Sequence, residues 1–147
     1  MRLYLVGALV SVLLLLMPAH AQDKIPSALQ QEIMIKAALL TLNDANVTGN
    51  YTVLHAKLGK PFRDQITPDK LKLAFKGFAD QKVDWDLIAA KAPVAISEAK
   101  IDNRGALILR GYFDTKPSRV NYELDFMISE REWKPVMLNV KLKQPEG

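Results

Sequence analysis

Arg119-Val120-Asn121-Tyr122-Glu123-Leu124-Asp125-Phe126-Met127-Ile128-Ser129 carries the clearest alternation of apolar and polar side chains in the chain. In an extended backbone, Val120, Tyr122, Leu124, Phe126 and Ile128 fall on one face, and Arg119, Asn121, Glu123, Asp125 and Ser129 on the other. A strand of this kind has one side on a core and one in water, the habit of antiparallel sheets. Toward the C-terminus, a tight turn over 129–132 leads into a second alternating run. There Val136, Leu138, Val140 and Leu142 face one way, and Trp133, Met137, Asn139, Lys141 and Lys143 the other. Toward the N-terminus, Thr115-Lys116-Pro117-Ser118 turns the chain back to a strand over 106–114. Asp102-Asn103-Arg104-Gly105, with Gly105 suited to a positive φ, separates that strand from one over 94–101. A further strand is expected over 83–88, and Pro93 in the intervening break marks an edge or a bulge.

The chain before this meander has a helical rhythm. Ser27 and Gln30 have the spacing of a capping box. The helix they start carries Leu29, Ile33, Ala37 and Leu40 on one face, while Ile35, Ala38, Leu39 and Leu42 widen the apolar surface to nearly the whole circumference. A helix that apolar is wrapped by other elements. It stops in Asn43-Asp44-Ala45-Asn46-Val47-Thr48-Gly49, where Gly49 can turn left-handed and Asn50 can cap a short second helix over 51–58. Residues 62–66 read as an irregular or briefly extended connection. Thr67-Pro68-Asp69 then opens a third helix with a buried stripe of Leu71, Ala74, Phe75 and Phe78. Helices followed by strands make the fold α+β: three N-terminal helices, then a curved antiparallel sheet wrapping the long first helix.

Composition narrows the chemistry. The 147 residues include 20 Lys+Arg, 16 Asp+Glu, two His and no Cys. Disulfides, thiolate metal sites and cysteine nucleophiles are therefore excluded. Arg2, the uncharged apolar run over 3–17, Pro18 and Ala19-His20-Ala21 have the layout of a signal peptide, so residues 1–21 are expected to be removed. That leaves one exported domain over 22–147, periplasmic or secreted, with no stable membrane anchor. Losing Arg2 lowers the formal net charge of +4 by one, too weak and too dispersed a balance for nucleic acid. Lys141 and Lys143 are the nearest thing to a basic patch and read as a solvated strand face.

The long apolar helix, the passage Leu39-Leu40-Thr41-Leu42-Asn43-Asp44-Ala45-Asn46-Val47-Thr48-Gly49-Asn50-Tyr51, the third helix and an antiparallel sheet ending in Glu132-Trp133-Lys134 together resemble the nuclear transport factor 2-like superfamily. In particular the chain is similar to its small exported bacterial domains of unassigned activity. The resemblance implies a cone, with a curved sheet around a long helix and a pocket at its mouth. It also implies that ketosteroid isomerase-like and polyketide cyclase-like enzymes share the architecture.

Enolate chemistry in such a cone needs a carboxylate base and oxyanion donors. The inward set of the two clearest strands holds no ionisable group except Tyr122, while Glu123 and Asp125 are expected to look outward. In Asp84-Trp85-Asp86, an apolar Trp anchor between two solvated acids is the simpler reading. No catalytic residue, cofactor or metal is assigned; a lone His55 makes no metal site. The candidate ligand-binding groups at the mouth are Tyr51, His55, Tyr112 and Tyr122. The strand over 106–114 is apolar on both sides, so Leu107, Leu109 and Phe113, with Trp133 and Met137, are candidates for a homodimer interface on the outer sheet face. The expected function is a non-catalytic binding or interaction module for a small hydrophobic ligand. The alternative is an isomerase- or cyclase-like enzyme acting on a small hydrophobic molecule.

Overall fold

The structure is a computed structural model that describes residues 24–78, 80–81 and 83–144. The export segment read over 1–21 lies outside the described residues. The fold is α+β. Helices α1 (Ala28–Thr48), α2 (Thr52–Lys57), α3 (Lys60–Arg63), α4 (Pro68–Phe75) and α5 (Asp86–Ala90) precede strands β1 (Val94–Ala95), β2 (Lys100–Ile101), β3 (Leu107–Phe113), β4 (Arg119–Ser129) and β5 (Glu132–Lys143). No helix among the described residues is long and apolar enough to cross a membrane.

The start and stop signals act as their chemistry dictates. Ser27 Oγ accepts from the Gln30 amide at 3.2 Å, and Gln30 Oε1 accepts from the Ser27 amide at 3.1 Å. Gly49 ends α1 at φ 68°. Asn50 Oδ1 accepts from the Thr52 amide at 3.0 Å, and Thr67 Oγ1 from the Lys70 amide at 3.2 Å. The three expected helices are α1, α2 and α4. Two short ones are additions: α3 takes in the start of the connection expected over 62–66, whose remainder is irregular, and α5 replaces the second half of the strand expected over 83–88. In α5 the Asp84 carboxylate accepts from the Asp86 amide at 3.1 Å and turns the chain. Trp85 and Ile88, three residues apart, then face the core together.

Of its two apolar sides, α1 buries the one opposite Leu29 and Ile33. Ile35, Ala38, Leu39, Leu42 and Ala45 are buried, while Leu29 and Ile33 are 67% and 58% exposed. A helix apolar all round leaves the choice of face to packing. Ala38 and Ala45 let other elements approach closely, whereas Gln30, Asp44 and Thr48 share the Leu29–Ile33 side and need water. In α4, Leu71 and Phe75 are buried but Ala74 is exposed.

The sheet is antiparallel in the order β1-β3-β4-β5, with β2 on the same edge of β3 as β1. The strand expected over 94–101 is thus two short pieces, with residues 97–99 outside the ladder between them. On β3, Leu107, Leu109 and Phe113 point into the core, opposite Phe126, Leu124 and Val120 of β4. A bulge interrupts the β4–β5 ladder: Asp125 faces Met137, but Phe126 faces Pro135, leaving Val136 as the extra residue. The phase of β5 reverses there. Trp133, opposite Ile128, packs against the core cluster rather than standing on the outer face with Met137. The Gly59 amide donates to the Pro135 carbonyl at 2.7 Å, tying the α2–α3 corner to the bulge.

The β4–β5 turn is built from Glu130 (φ 54°) and Arg131 (φ 70°), a conformation that side chains other than Gly and Asn enter at a cost. Glu130 is held there by Arg63 Nη2 at 2.5 Å and Lys134 Nζ at 2.9 Å. These two cations lower its carboxyl pKa to about 2. Because the folded value lies below the unfolded one, the contribution is present above the ordinary carboxylate range and fades as pH falls from there toward 2. Glu130→Gln should therefore lower thermal stability at neutral pH and flatten the acid limb of a Tm-against-pH curve. An acid limb identical to that of the wild type would show that the clamp contributes nothing.

Candidate functional site

A hollow of about 510 Å³ opens between the N-terminal turns of α1 and the β1–β2 edge of the sheet. Its apolar wall includes Ile25, Ala28, Ile35, Ala95 and Leu109, and its polar groups are Gln31, Glu32, Ser97, Glu98, Tyr122 and Arg110, whose guanidinium is engaged by Asp125 and two carbonyls. Two local facts create the space. The edge strand breaks after Ala95, and the side chains on either side of the break, Ala92, Ala95 and Ala99, are small. Ile96 restores one ladder contact, its amide donating to the Arg110 carbonyl at 2.9 Å.

Tyr122 forms the floor. It stands opposite Gly111 in the β3–β4 register. A Cβ at Gly111 would overlap the Tyr122 hydroxyl and the Val94 carbonyl oxygen, so only glycine lets the ring lie across β3. Phe113 supports the ring from the side, with centroids 5.8 Å apart. Tyr122 is 3% exposed, and burial pushes its hydroxyl pKa up to about 12. It is therefore a neutral hydrogen-bond donor at every physiological pH. Glu32, on the opposite wall, forms an ion pair with Lys36 at 2.7 Å, and Gln31 Nε2 donates to the Pro26 carbonyl at 2.8 Å.

Of the four groups read from sequence as ligand contacts, only Tyr122 belongs to this hollow. Tyr51 and His55 lie at the other end of α1, which rises about 1.5 Å per residue and so spans about 30 Å. The Tyr51 hydroxyl donates to Asn46 Oδ1, and burial raises its pKa. His55 Nε2 lies 2.7 Å from the Ile66 carbonyl and 3.1 Å from that of Arg63. Both partners are acceptors, so this nitrogen carries the proton and fastens the loop before α4. Tyr112 is on the outer sheet face, its ring 4.0 Å beneath the Arg119 guanidinium. The expectation that these three sit at one mouth is corrected: three separate packing roles account for them.

The interface set is corrected in the same way. Leu107 and Phe113 are 0% exposed and Leu109 4%, so they belong to the core, as does the flank of Trp133. Only Met137 remains on the outer face, opposite Asp125. Asp125 does look outward but is 6% exposed. Arg110 Nη2 reaches it at 2.8 Å and Arg104 Nη2 at 3.3 Å, while Arg110 Nη1 donates to the Leu109 and Leu124 carbonyls at 3.0 Å each. This cluster ties three chain segments together and is structural. Asp84, Trp85 and Asp86 line a second hollow of about 280 Å³ with Asn43 and Asn46.

Among the described residues, no group of three or more His, Asp or Glu side chains could hold a metal ion. Sequence reasoning missed Glu32, Gln31 and the alanine wall. The only signal for that wall is the repeated alanine through Ala89, Ala90, Ala92, Ala95 and Ala99 beside Pro93, an edge strand without bulk. Comparison with protein-family models, with curated proteins and with solved structures returned no match, so the site rests on its own geometry.

Proposed function

We propose that the chain is a binding module, exported and non-catalytic, that holds a small, largely apolar molecule in the hollow between α1 and the β1–β2 edge. The observation that carries this reading is the combination of about 510 Å³ of space with an alanine and isoleucine wall and a buried phenol, Tyr122, at its floor, the charged groups Glu32, Glu98 and Arg110 standing around it. Ligand pockets are commonly about 300–1,000 Å³ and mostly apolar, with few polar groups that fix orientation. The bound molecule would pack its apolar part against Ile35 and Leu109 and accept a hydrogen bond from the Tyr122 hydroxyl. The nuclear transport factor 2-like resemblance agrees with a pocket beside the long helix.

Ala95→Trp fills the hollow from an exposed edge position, so it tests the site without disturbing the core. Binding of the apolar probe N-phenyl-1-naphthylamine, followed by its fluorescence, should weaken about tenfold or more, equivalent to ~1.4 kcal/mol. Leu73→Trp, at a position 66% exposed on α4, should leave binding unchanged. Equal binding by wild type and Ala95→Trp would remove this reading.

One observation favours a second reading, an isomerase- or cyclase-like enzyme: Glu32 and Tyr122 line the same hollow, a carboxylate and a neutral phenol. The 2.7 Å contact with Lys36 ranks it second, because it engages a Glu32 oxygen that would have to face a substrate proton.

A further inference from the structure

The outer face of the sheet ends, at the corner away from Asp125, in cations. Arg119 stands directly opposite Lys143 in the β4–β5 pair, and the next outward row sets Lys141 opposite Asn121. Directly opposed side chains in an antiparallel pair have Cβ atoms about 4.5–5.5 Å apart, and like charges there are destabilising. Lys116 joins them from the β3–β4 loop, sharing a hollow of about 270 Å³ with Arg119 and Lys143. Lys143 also borders the adjoining hollow of about 350 Å³, with Lys141 and Asn121 in its wall.

Counter-charges are few. Asp114 comes no nearer to Arg119 than 3.9 Å, and both side chains are largely solvated. Glu123 also lines the second hollow, where it accepts from Asn139 Nδ2 at 3.0 Å and keeps its negative charge, so one carboxylate stands there against Lys141 and Lys143. Among the described residues, Lys116, Lys141 and Lys143 form no ion pair. The Arg119 guanidinium is also stacked 4.0 Å over Tyr112, which limits its freedom to swing away from Lys143.

We propose that this corner is an anion site for a phosphate group, gripped by Arg119, Lys141 and Lys143 with Lys116 at its rim. A phosphate group has the charge and the several acceptor oxygens needed to bridge separate cations, where a carboxylate offers one charge and two oxygens. The proposal does not rest on the apolar hollow, although the hollow of about 350 Å³ borders it through Ser97, Arg110 and Tyr122. The phosphate can belong to a soluble ester or to a lipid headgroup.

Pyrophosphate, compared with sodium chloride at matched ionic strength, should raise the Tm of the full chain by about 2–4 °C. The Lys141→Glu/Lys143→Glu variant should lose that rise. Lys70→Glu/Lys76→Glu, the same change of charge at exposed positions on and just after α4, should keep it. No rise in the wild type, a rise retained in the Lys141/Lys143 variant, or an equal loss in the Lys70/Lys76 variant each overturns the proposal. Cosedimentation with phosphatidylcholine vesicles, with and without phosphatidylglycerol, separates the sources. Binding only to anionic vesicles that pyrophosphate reverses assigns a headgroup; a pyrophosphate effect without sedimentation assigns a soluble ester. Lys143→Glu alone, without ligand, should raise the Tm by turning the opposed pair attractive, and a fall would remove the premise of repulsion.

Discussion

Phe113→Ala should lower the free energy of unfolding by about 3–5 kcal/mol, the range for truncating a fully buried aromatic side chain. Phe113 is 0% exposed at the end of β3, opposite Val120, so neighbours on β4 and the helices would have to collapse inward to close the gap. Its ring also supports Tyr122. The variant should therefore lose affinity for the naphthylamine probe even under conditions where it remains folded. Urea denaturation followed by circular dichroism checks the first effect. A loss below about 0.5 kcal/mol, the scale of a surface change, would mean that Phe113 is not in the core. Phe113→Leu should recover most of the stability and little of the probe affinity, because it restores apolar volume without the flat face that Tyr122 leans on.

Asp125→Ala should cost about 2–3 kcal/mol. Removing one partner of a buried pair leaves a charge without its counter-ion, and the cost is moderated here because Arg110 keeps some contact with water. The carboxylate is 6% exposed and receives Arg110 at 2.8 Å, so the truncated protein retains a guanidinium with its Nη2 unpaired. The test is a double-mutant cycle. Asp125→Ala with Arg110→Met should be less damaging than the sum of the two single changes, because the double variant has no orphaned ion in this position. Simple additivity would show that the pair does not interact. Arg104→Ala should cost far less, since Arg104 is exposed and has a second partner in Asp102 at 2.7 Å.

Local chemistry in this chain is legible from residue type. Ser27 with Gln30, Gly49, Thr67 with Pro68, and Gly105 at φ 81° all do what their side chains or their lack of one demand. The alternation of β4 identifies the fold class because Val120, Tyr122, Leu124 and Phe126 leave no doubt about the period. Features that depend on another segment are not legible. The α1 face was open to either choice because both sides are apolar. The bulge is invisible in β5, where Val136, Leu138 and Val140 alternate without a flaw; it exists only relative to β4, and it moves Trp133 to the opposite side. Trp85 and Ile88 meet because a carboxylate two residues before α5 turns the chain, a preference that the run of apolar residues conceals. The hollow is the hardest case, since it is made of what alanine and Gly111 omit. Tyr122 could be singled out as the lone polar group on an apolar face, but its relation to Gly111 needs the register.

The outward apolar side of α1 bears on the order of assembly. α1 ends at Thr48, whereas β4 begins at Arg119. The β3–β4 and β4–β5 connections are short, so those pairings close small loops, while joining α1 to the sheet closes a long one. The meander can therefore gain its register early, but its inner face stays wet until α1 docks. During that interval α1 is attractive on both sides, and either side can meet the sheet. A trapped species docked through Leu29 and Ile33 would bury Asp44 and expose Leu39 and Leu42, and its escape requires the helix to detach and turn about its axis.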